Sequence, residues 1–259
     1  MKKRFIKAIS VCVALCTVLL LAACKENQPE QGDIVLSNEA EKATTSETVE
    51  IADIPTDPAE LTDMLNNAIG YVDRYCYKYN KNVKCEIGSV NLGSLSSVSN
   101  ARSAFASIFG QKEIASEYDY KADKKLFAEN FIKGSVSSDD IVTVSAYEDD
   151  GTVVVVAELA NETVTDDDDG LLCRLGGEHV TPGDVKASLT EFKSSASSVS
   201  VSADGIKLTA RISTADSSLK SMTVEYTERF NLSGVKLVKI EGGTVSGNAK
   251  TEISYTNLG

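Results

Sequence analysis

Ile141-Val142-Thr143-Val144-Ser145-Ala146-Tyr147-Glu148-Asp149-Asp150-Gly151-Thr152-Val153-Val154-Val155-Val156-Ala157-Glu158-Leu159 is the stretch whose reading decides the fold. Two β-rich runs flank Asp150-Gly151, and an Asp-Gly step supplies the left-handed backbone that a two-residue hairpin turn needs. Val153 to Val156 is apolar at every position, which predicts a strand covered on both faces and lying inside a sheet.

Working outward, the period of two continues toward the C-terminus. Val199–Ala203, Asp204-Gly205 and Ile206–Ile212 predict a second hairpin. In it Ile206, Leu208, Ala210 and Ile212 face in, while Lys207, Thr209 and Arg211 face out. Met222–Leu232, Val235–Ile240 and Ala249–Tyr255 extend the meander, with Gly242-Gly243 as a turn. Between the hairpins, Thr181-Pro182-Gly183-Asp184-Val185 opens a short helix running to about Phe192. Strands and helices do not alternate as βαβ units, so the sheet should be antiparallel.

Upstream of about residue 135 the period is helical. Asp57 is an N-cap acid and Pro58 occupies the first helical position. Leu61, Met64, Leu65, Ala68, Val72, Tyr75, Cys76 and Tyr79 then recur at three and four residues, predicting one buried stripe on a helix to about residue 79. The tyrosines of this region are read as core rather than as a sugar platform. Val83–Ile87 is a short strand, Gly88–Ser99 a Gly/Ser passage, and Ala101, Phe105, Ile108 and Phe109 a second helix ended by Gly110. Leu126, Phe127 and Phe131 cap the core. The fold class expected is α+β, with N-terminal helices packed on a long curved antiparallel sheet, in one domain over residues 57–259.

The N-terminus says where the domain lives. Met1 to Lys7 carries four bases and no acid, and an apolar run of 16 residues, Ala8–Ala23, follows. A bilayer crossing takes about 20 residues. A basic start, a short apolar segment and small residues at its end are the parts of a secretory signal. Leu21-Ala22-Ala23-Cys24 resembles the lipobox of bacterial lipoproteins. That resemblance implies cleavage between Ala23 and Cys24, a lipid on the Cys24 sulfur, and residence on the outer face of the cell membrane. Residues 25–56 are polar, net acidic and too poor in apolar side chains to fold alone. As a coil this tether spans roughly 30 Å.

Of the 26 bases, the signal removes Lys2, Lys3, Arg4 and Lys7; the remaining 22 stand against 38 acids, a formal charge of −16. Such a body is repelled by nucleic-acid phosphates and anionic headgroups, which excludes nucleic acid as a partner and leaves the lipid as the membrane contact. Cys76, Cys85 and Cys173 remain after processing and lipidation. An odd number permits one disulfide, Cys76–Cys85 being the nearest pair, or buried thiols acting as small hydrophobes.

Ser138-Asp139-Asp140-Ile141, the Asp150-Gly151 hairpin, Thr181-Pro182-Gly183-Asp184-Val185 and Met222-Thr223-Val224-Glu225-Tyr226 resemble a β-rich domain of lipoproteins from gut clostridia. The resemblance covers roughly residues 57–259. It implies a Gram-positive extracytoplasmic setting and a curved antiparallel sheet holding helices on its concave side, and carries no catalytic residue across. In outline that shape is also similar to bacterial lipid carriers.

Candidate chemistry is sparse. The one histidine, His179, has no GxSxG serine to serve, and Ser217-Ser218-Leu219-Lys220 matches SxxK without its companion motifs. Asp166-Asp167-Asp168-Asp169 invites calcium, yet an EF-hand register would put Thr165 and Gly176 at ligand positions. No metal and no cofactor are implied, and the domain is read as non-enzymatic. Glu228 stands out, lying in the inward series Met222, Val224, Tyr226, Glu228, Phe230, Leu232, where a carboxylate is costly. Either a bulge or strand end exposes it, or it is a polar group in a ligand pocket beside Tyr226. The expected role is a binding module for a lipid or other hydrophobic ligand, or else a protein-interaction or structural domain of the envelope.

Mass spectrometry of the membrane fraction should find a mature chain beginning at a lipid-modified Cys24. Cys24→Ala should leave an unprocessed N-terminus still carrying Lys2.

Overall fold

The computed structural model describes residues 53–97, 101–108, 112–167, 170–177, 179–191, 193–237 and 240–258. The lipobox with Ala23 and Cys24, nearly all of the tether, and Phe109, Gly110, Asp168, Asp169 and Phe192 lie outside them. In chain order the helices are α1 (Pro58–Tyr75), α2 (Ala101–Ile108), α3 (Lys124–Asn130), α4 (Leu171–Arg174) and α5 (Pro182–Glu191). The strands are β1 (Lys78–Asn91), β2 (Lys112–Asp119), β3 (Ile141–Asp149), β4 (Thr152–Leu159), β5 (Glu162–Val164), β6 (Ser194–Ser195), β7 (Ser198–Ser213), β8 (Leu219–Leu237) and β9 (Ile240–Thr256).

All described strands form one sheet in the order β2-β1-β9-β8-β7-β4-β3, with β5 paired to β7 and β6 to β8. Every pairing is antiparallel. The chain is therefore mostly antiparallel sheet with a smaller helical part, an α+β mix. None of its described helices is long and apolar enough to cross a membrane.

The β3–β4 hairpin forms as its sequence dictates. Asp150 and Gly151 both take positive φ, 49° and 69°, and Asp149 pairs with Thr152. Val153, Val154 and Val155 are buried, and β4 has a neighbour on each side.

Asp204-Gly205 does something else. β7 runs unbroken through it, and its register against β8 shifts between Asp204 and Lys207. Among these residues only Gly205 is left-handed, at φ 59°. Two left-handed residues turn a chain back, whereas one, set in a continuing strand, inserts an extra residue as a β-bulge. The predicted second hairpin is thus one strand. The bulge exchanges the parity of the inward face: Val201 and Ala203 are buried before it, Ile206, Leu208, Ala210 and Ile212 after it.

Gly234 repeats the device in β8 at φ 56°, so that Leu232 and Val235 are both buried. Gly242-Gly243 is likewise not a turn, because β9 passes through it with Gly243 paired to Val235. A Cβ at Gly243 would lie 3.1 Å from Leu95 Cγ, so glycine there lets the Gly93–Ser97 3-10 turn pack close.

Helix α1 is shorter than its apolar spacing suggests. Asp57 caps it through Oδ1 to the Ala59 N–H at 2.8 Å, and Cys76 closes it with an N–H to the Val72 carbonyl. Tyr79 is buried as expected but belongs to β1, whereas Tyr75 is only half-buried. Val83–Ile87, read as a short strand, lies within β1, whose first half was hidden because its inward series Tyr79, Lys81, Val83, Cys85 contains a lysine. β2, polar on both faces, carries no alternation to read. Leu65, Ala68, Ile69 and Val72 of α1, Phe105 of α2, Phe127 of α3 and Val185 of α5 share one apolar cluster with the inward residues of β7, β8 and β9. Asn66 ties α1 down by reading the backbone of Val136 in both directions, donating to its carbonyl and accepting from its N–H at 2.9 Å each. Cys76 and Cys85 are buried, Cys173 is half-buried, and none of the three is in a disulfide.

A Cβ at Gly205 would meet nothing within 4 Å, so Gly205→Ala should cost only the left-handed backbone, about 1–2 kcal/mol. Deleting Gly205 should be far worse in urea unfolding, because one half of β7 must then turn its apolar set outward.

Candidate functional site

β8 is paired to β7 and β9 along its length, so its inward residues are held beneath whatever covers that face. Among them Glu228 is 1% exposed. It occupies regular strand, opposite Ala203 on β7 and Ala249 on β9. Neither a bulge nor an exposed strand end lies at this position, which corrects the expectation that one would account for the carboxylate. Short alanine side chains flank it, and Oε1 accepts the Val180 N–H at 2.9 Å.

A second buried charge, Lys81 on β1, is 4% exposed. Its Nζ donates to the Gly176 carbonyl at 3.1 Å and stands 5.6 Å from the centre of the Tyr255 ring. The Tyr255 hydroxyl donates to the same carbonyl at 3.3 Å. Lys81 and Glu228 are the two buried charged side chains among the described residues. Each takes the backbone group of matching polarity on one segment, the link between α4 and α5, and each is thereby supplied with the partner that burial demands.

The link is anchored at both ends. After α4, Gly176 is left-handed at φ 69°, and the Gly177 N–H returns to the Leu172 carbonyl at 2.7 Å. Side chains have no room here: a Cβ on Gly176 would sit 2.5 Å from the Tyr255 hydroxyl oxygen, and one on Gly177 2.7 Å from the Leu172 carbonyl oxygen. At the far end Thr181 and Asp184 cap α5 reciprocally, Thr181 Oγ1 accepting the Asp184 N–H and Asp184 Oδ2 accepting the Thr181 N–H, both at 3.1 Å. Asp166 Oδ1 takes the Gly183 N–H at 2.6 Å, so the first acid of the aspartate run serves the start of α5. Among the described residues no group of three His, Cys, Asp or Glu is placed to hold a metal ion.

Beneath the link the inner face is polar. Tyr226, 1% exposed, stands opposite Thr251 on β9, and Thr251 stands opposite Cys85 on β1. Thr251 is fully buried beside Cys85, and His179 Nδ1, one residue before Val180, is enclosed without a partner. Burial pushes the Cys85 thiol up; Thr251 and Lys112 pull it back in part, and Glu228 pushes it further up. Burial also raises Glu228 to about 7, against the lowering pull of the Val180 N–H and of Lys112.

Two clefts open elsewhere. One of about 310 Å³ lies between β2 and α3, with Tyr118, Leu126 and Phe127 beside Glu117, Asp119 and Asp123. The other, about 210 Å³, runs from Tyr71 and Tyr75 to Asp216, Ser218 and Lys220. Neither is lined by Glu228 or Tyr226. Ser217-Ser218-Leu219-Lys220 enters β8 from a turn, and Ser218 Oγ donates to Asp216 Oδ1 at 2.6 Å; Lys220 Nζ also points to Asp216, at 3.8 Å. The serine of the SxxK match is Ser217, which lies left-handed at φ 54° just before β8 rather than opening a helix.

Of the residues that form this site, Glu228 and Tyr226 were legible in the sequence. Lys81, Thr251 and the backbone of Gly176 and Val180 were not. The signal available for Lys81 was its place in the Tyr79–Cys85 alternation. The chain matches no protein-family model, no curated protein and no solved structure.

A carboxyl that titrates near 7 when folded and near its ordinary value when unfolded binds its proton more tightly in the native state. Its contribution to stability is full below the ordinary value and is lost as pH rises to about 7. Chemical denaturation should therefore show stability falling between pH 5 and pH 8, by up to about 3 kcal/mol for this group. Glu228→Gln should flatten that slope and raise stability at pH 8.

Proposed function

We propose that the chain is a membrane-anchored extracytoplasmic lipoprotein of Gram-positive type. Residues 1–23 are its signal, Cys24 its lipid anchor, residues 24–56 its tether, and residues 57–259 a single non-enzymatic domain in which helices lie on the concave side of a curved sheet. The domain acts as a protein-interaction module of the cell envelope. The observation that carries this reading is the filled interior. Side chains from all five described α-helices and the long strands share one continuous apolar cluster, which favours recognition at the surface over enclosure of an acyl chain.

A second reading, binding of a small hydrophobic ligand, is favoured by the 310 Å³ cleft walled by Tyr118, Leu126 and Phe127. That volume lies at the low end of small-molecule sites, which run from about 300 to 1,000 Å³. The surface of a body at −16 selects basic partners and weakens in salt.

Native mass spectrometry of the protein purified from membranes separates the two. The interaction reading expects a mass accounted for by the chain and its anchor, together with envelope proteins captured at low salt and released at high salt. A stoichiometric apolar small molecule, lost on Leu126→Asp, would establish the ligand reading instead.

A further inference from the structure

We infer that the outer face of the sheet carries a binding lane for an uncharged linear glycan, crossing the strands from Ser145 to Asn82 with Tyr147 at one end. The inner face shares the apolar cluster with the helices, and strand pairing fixes what stands side by side on the other. Ser145 of β3 lies opposite Val156 of β4, and Val156 opposite Thr209 of β7. Thr209 lies opposite Thr223 of β8, Thr223 opposite Ser254 of β9, and Ser254 opposite Asn82 of β1. Each sits between two residues that point to the core, as Thr223 does between Met222 and Val224. Strand alternation therefore commits all six to the outer face. There Ser145 and Asn82 are exposed and the four between them half-buried, as on a sheet face left uncovered. At about 4.8 Å per strand the row runs roughly 24 Å.

This row holds four hydroxyls, an amide and one valine, and no charge. The row beside it is the reverse. Glu158, Lys207, Glu225, Glu252 and Lys84 fall opposite one another from β4 to β1, one charge on every strand. Those longer side chains stand above the serines and threonines and leave the uncharged row as a shallow trough. On the other flank, at the β3 end, Tyr147 is 52% exposed and stands opposite Val154. An open aromatic ring thus adjoins one end of a lane of hydroxyls.

Charge selects the occupant. A basic peptide would settle on the acids of the neighbouring row, and a nucleic acid is repelled by the whole body. A second copy laid face to face would have to strip water from the charged row, and an acyl chain would leave the hydroxyls and the amide without partners. An uncharged sugar chain meets none of these costs. Its hydroxyls exchange hydrogen bonds with serine, threonine and asparagine side chains, which both donate and accept, and the C–H face of a ring packs on the Tyr147 ring. The spacing of the strands is close to the advance of one ring along an extended glycan, so successive rings meet successive strands. The lane fits an oligosaccharide rather than a single sugar.

Calorimetric titration and amide NMR shifts of the full chain test this, with four uncharged probes: hexasaccharides of β-1,4-linked glucose, mannose and N-acetylglucosamine, and of α-1,4-linked glucose. At least one should bind with a Kd below about 1 mM, shifting the amides of Val156, Thr209, Thr223 and Ser254, and its disaccharide should bind about tenfold more weakly or worse. Tyr147→Ala should weaken binding about tenfold, and Thr223→Lys, which sets a charge in mid-lane, should abolish it. Salt separates the lane from the protein-interaction reading: glycan affinity should change less than about twofold between about 0.05 M and about 0.5 M sodium chloride. Failure of all four probes at millimolar concentration overturns the proposal. So does binding that shifts amides only outside the lane, or that survives Tyr147→Ala unchanged, a variant at an exposed position that decides the matter even where Thr223→Lys fails to fold. The same lane shifts produced by polylysine or by raising the protein concentration overturn it as well, in favour of a basic partner or a second copy.

Discussion

Hydrogen bonding on both sides of β8 is the constraint from which the rest follows. A strand with two neighbours cannot roll, so alternate side chains are committed to the inner face whatever their chemistry. Five of the six residues from Met222 to Leu232 that point inward are apolar and supply core. The sixth is Glu228, and the molecule must satisfy a carboxylate it cannot turn outward. The same holds for Lys81 on β1, held between β2 and β9. Instead of pairing the two charges with each other, the fold lays one loop across both and gives each a backbone group. A direct ion pair would have been a mutual neutralisation. Backbone partners serve each side chain without neutralising it, and burial raises the Glu228 carboxyl to about 7.

The second constraint is parity. A strand of 16 residues such as β7 must keep one face apolar while pairing with β8 throughout and, over successive parts, with β4 and β5. Gly205 accommodates this by adding one residue where β4 gives way to β5, and Asn161, in the gap between those strands, bonds the Gly205 N–H at 3.1 Å. The bulge thus joins two half-strands whose inward residues are out of step. Gly234 does the same near the end of β8, between Leu232 and Val235. Both corrections are local, and both leave the sheet continuous.

This explains how far the sequence could be read. The β3–β4 hairpin, the inward set of β7, the caps of α1 and α5 and the antiparallel character all follow from local chemistry. Asp57, Asp150-Gly151 and Thr181 through Asp184 announce themselves within four residues. Bulges do not. A glycine beside a polar residue reads as a turn whether one residue or two will be left-handed, and only the pairing partner across the sheet decides. β1 was read only in part, as Val83–Ile87, for a different reason: Lys81 interrupts the apolar alternation in its first half, because its partner is a carbonyl 95 residues further along. For the site, Glu228 was conspicuous as a charge in an apolar series. What it touches was beyond reach, since a backbone N–H carries no signature in sequence.

What a glutamate supplies at position 228 that other residues would not can be argued from the same geometry. Leucine would fill the space and remove a desolvation cost, though it would strand the Val180 N–H. Glutamine would accept that N–H through its carbonyl oxygen at every pH, with no charge to bury. A purely structural requirement, to receive one hydrogen bond under a loop, is thus met at lower cost by an amide. The property peculiar to the carboxyl is that its demand for donors changes with protonation: one suffices when it is neutral, several are needed when it is charged. Set beneath the Val180 N–H on a strand that cannot roll, that change in demand makes the cost of the side chain depend on pH.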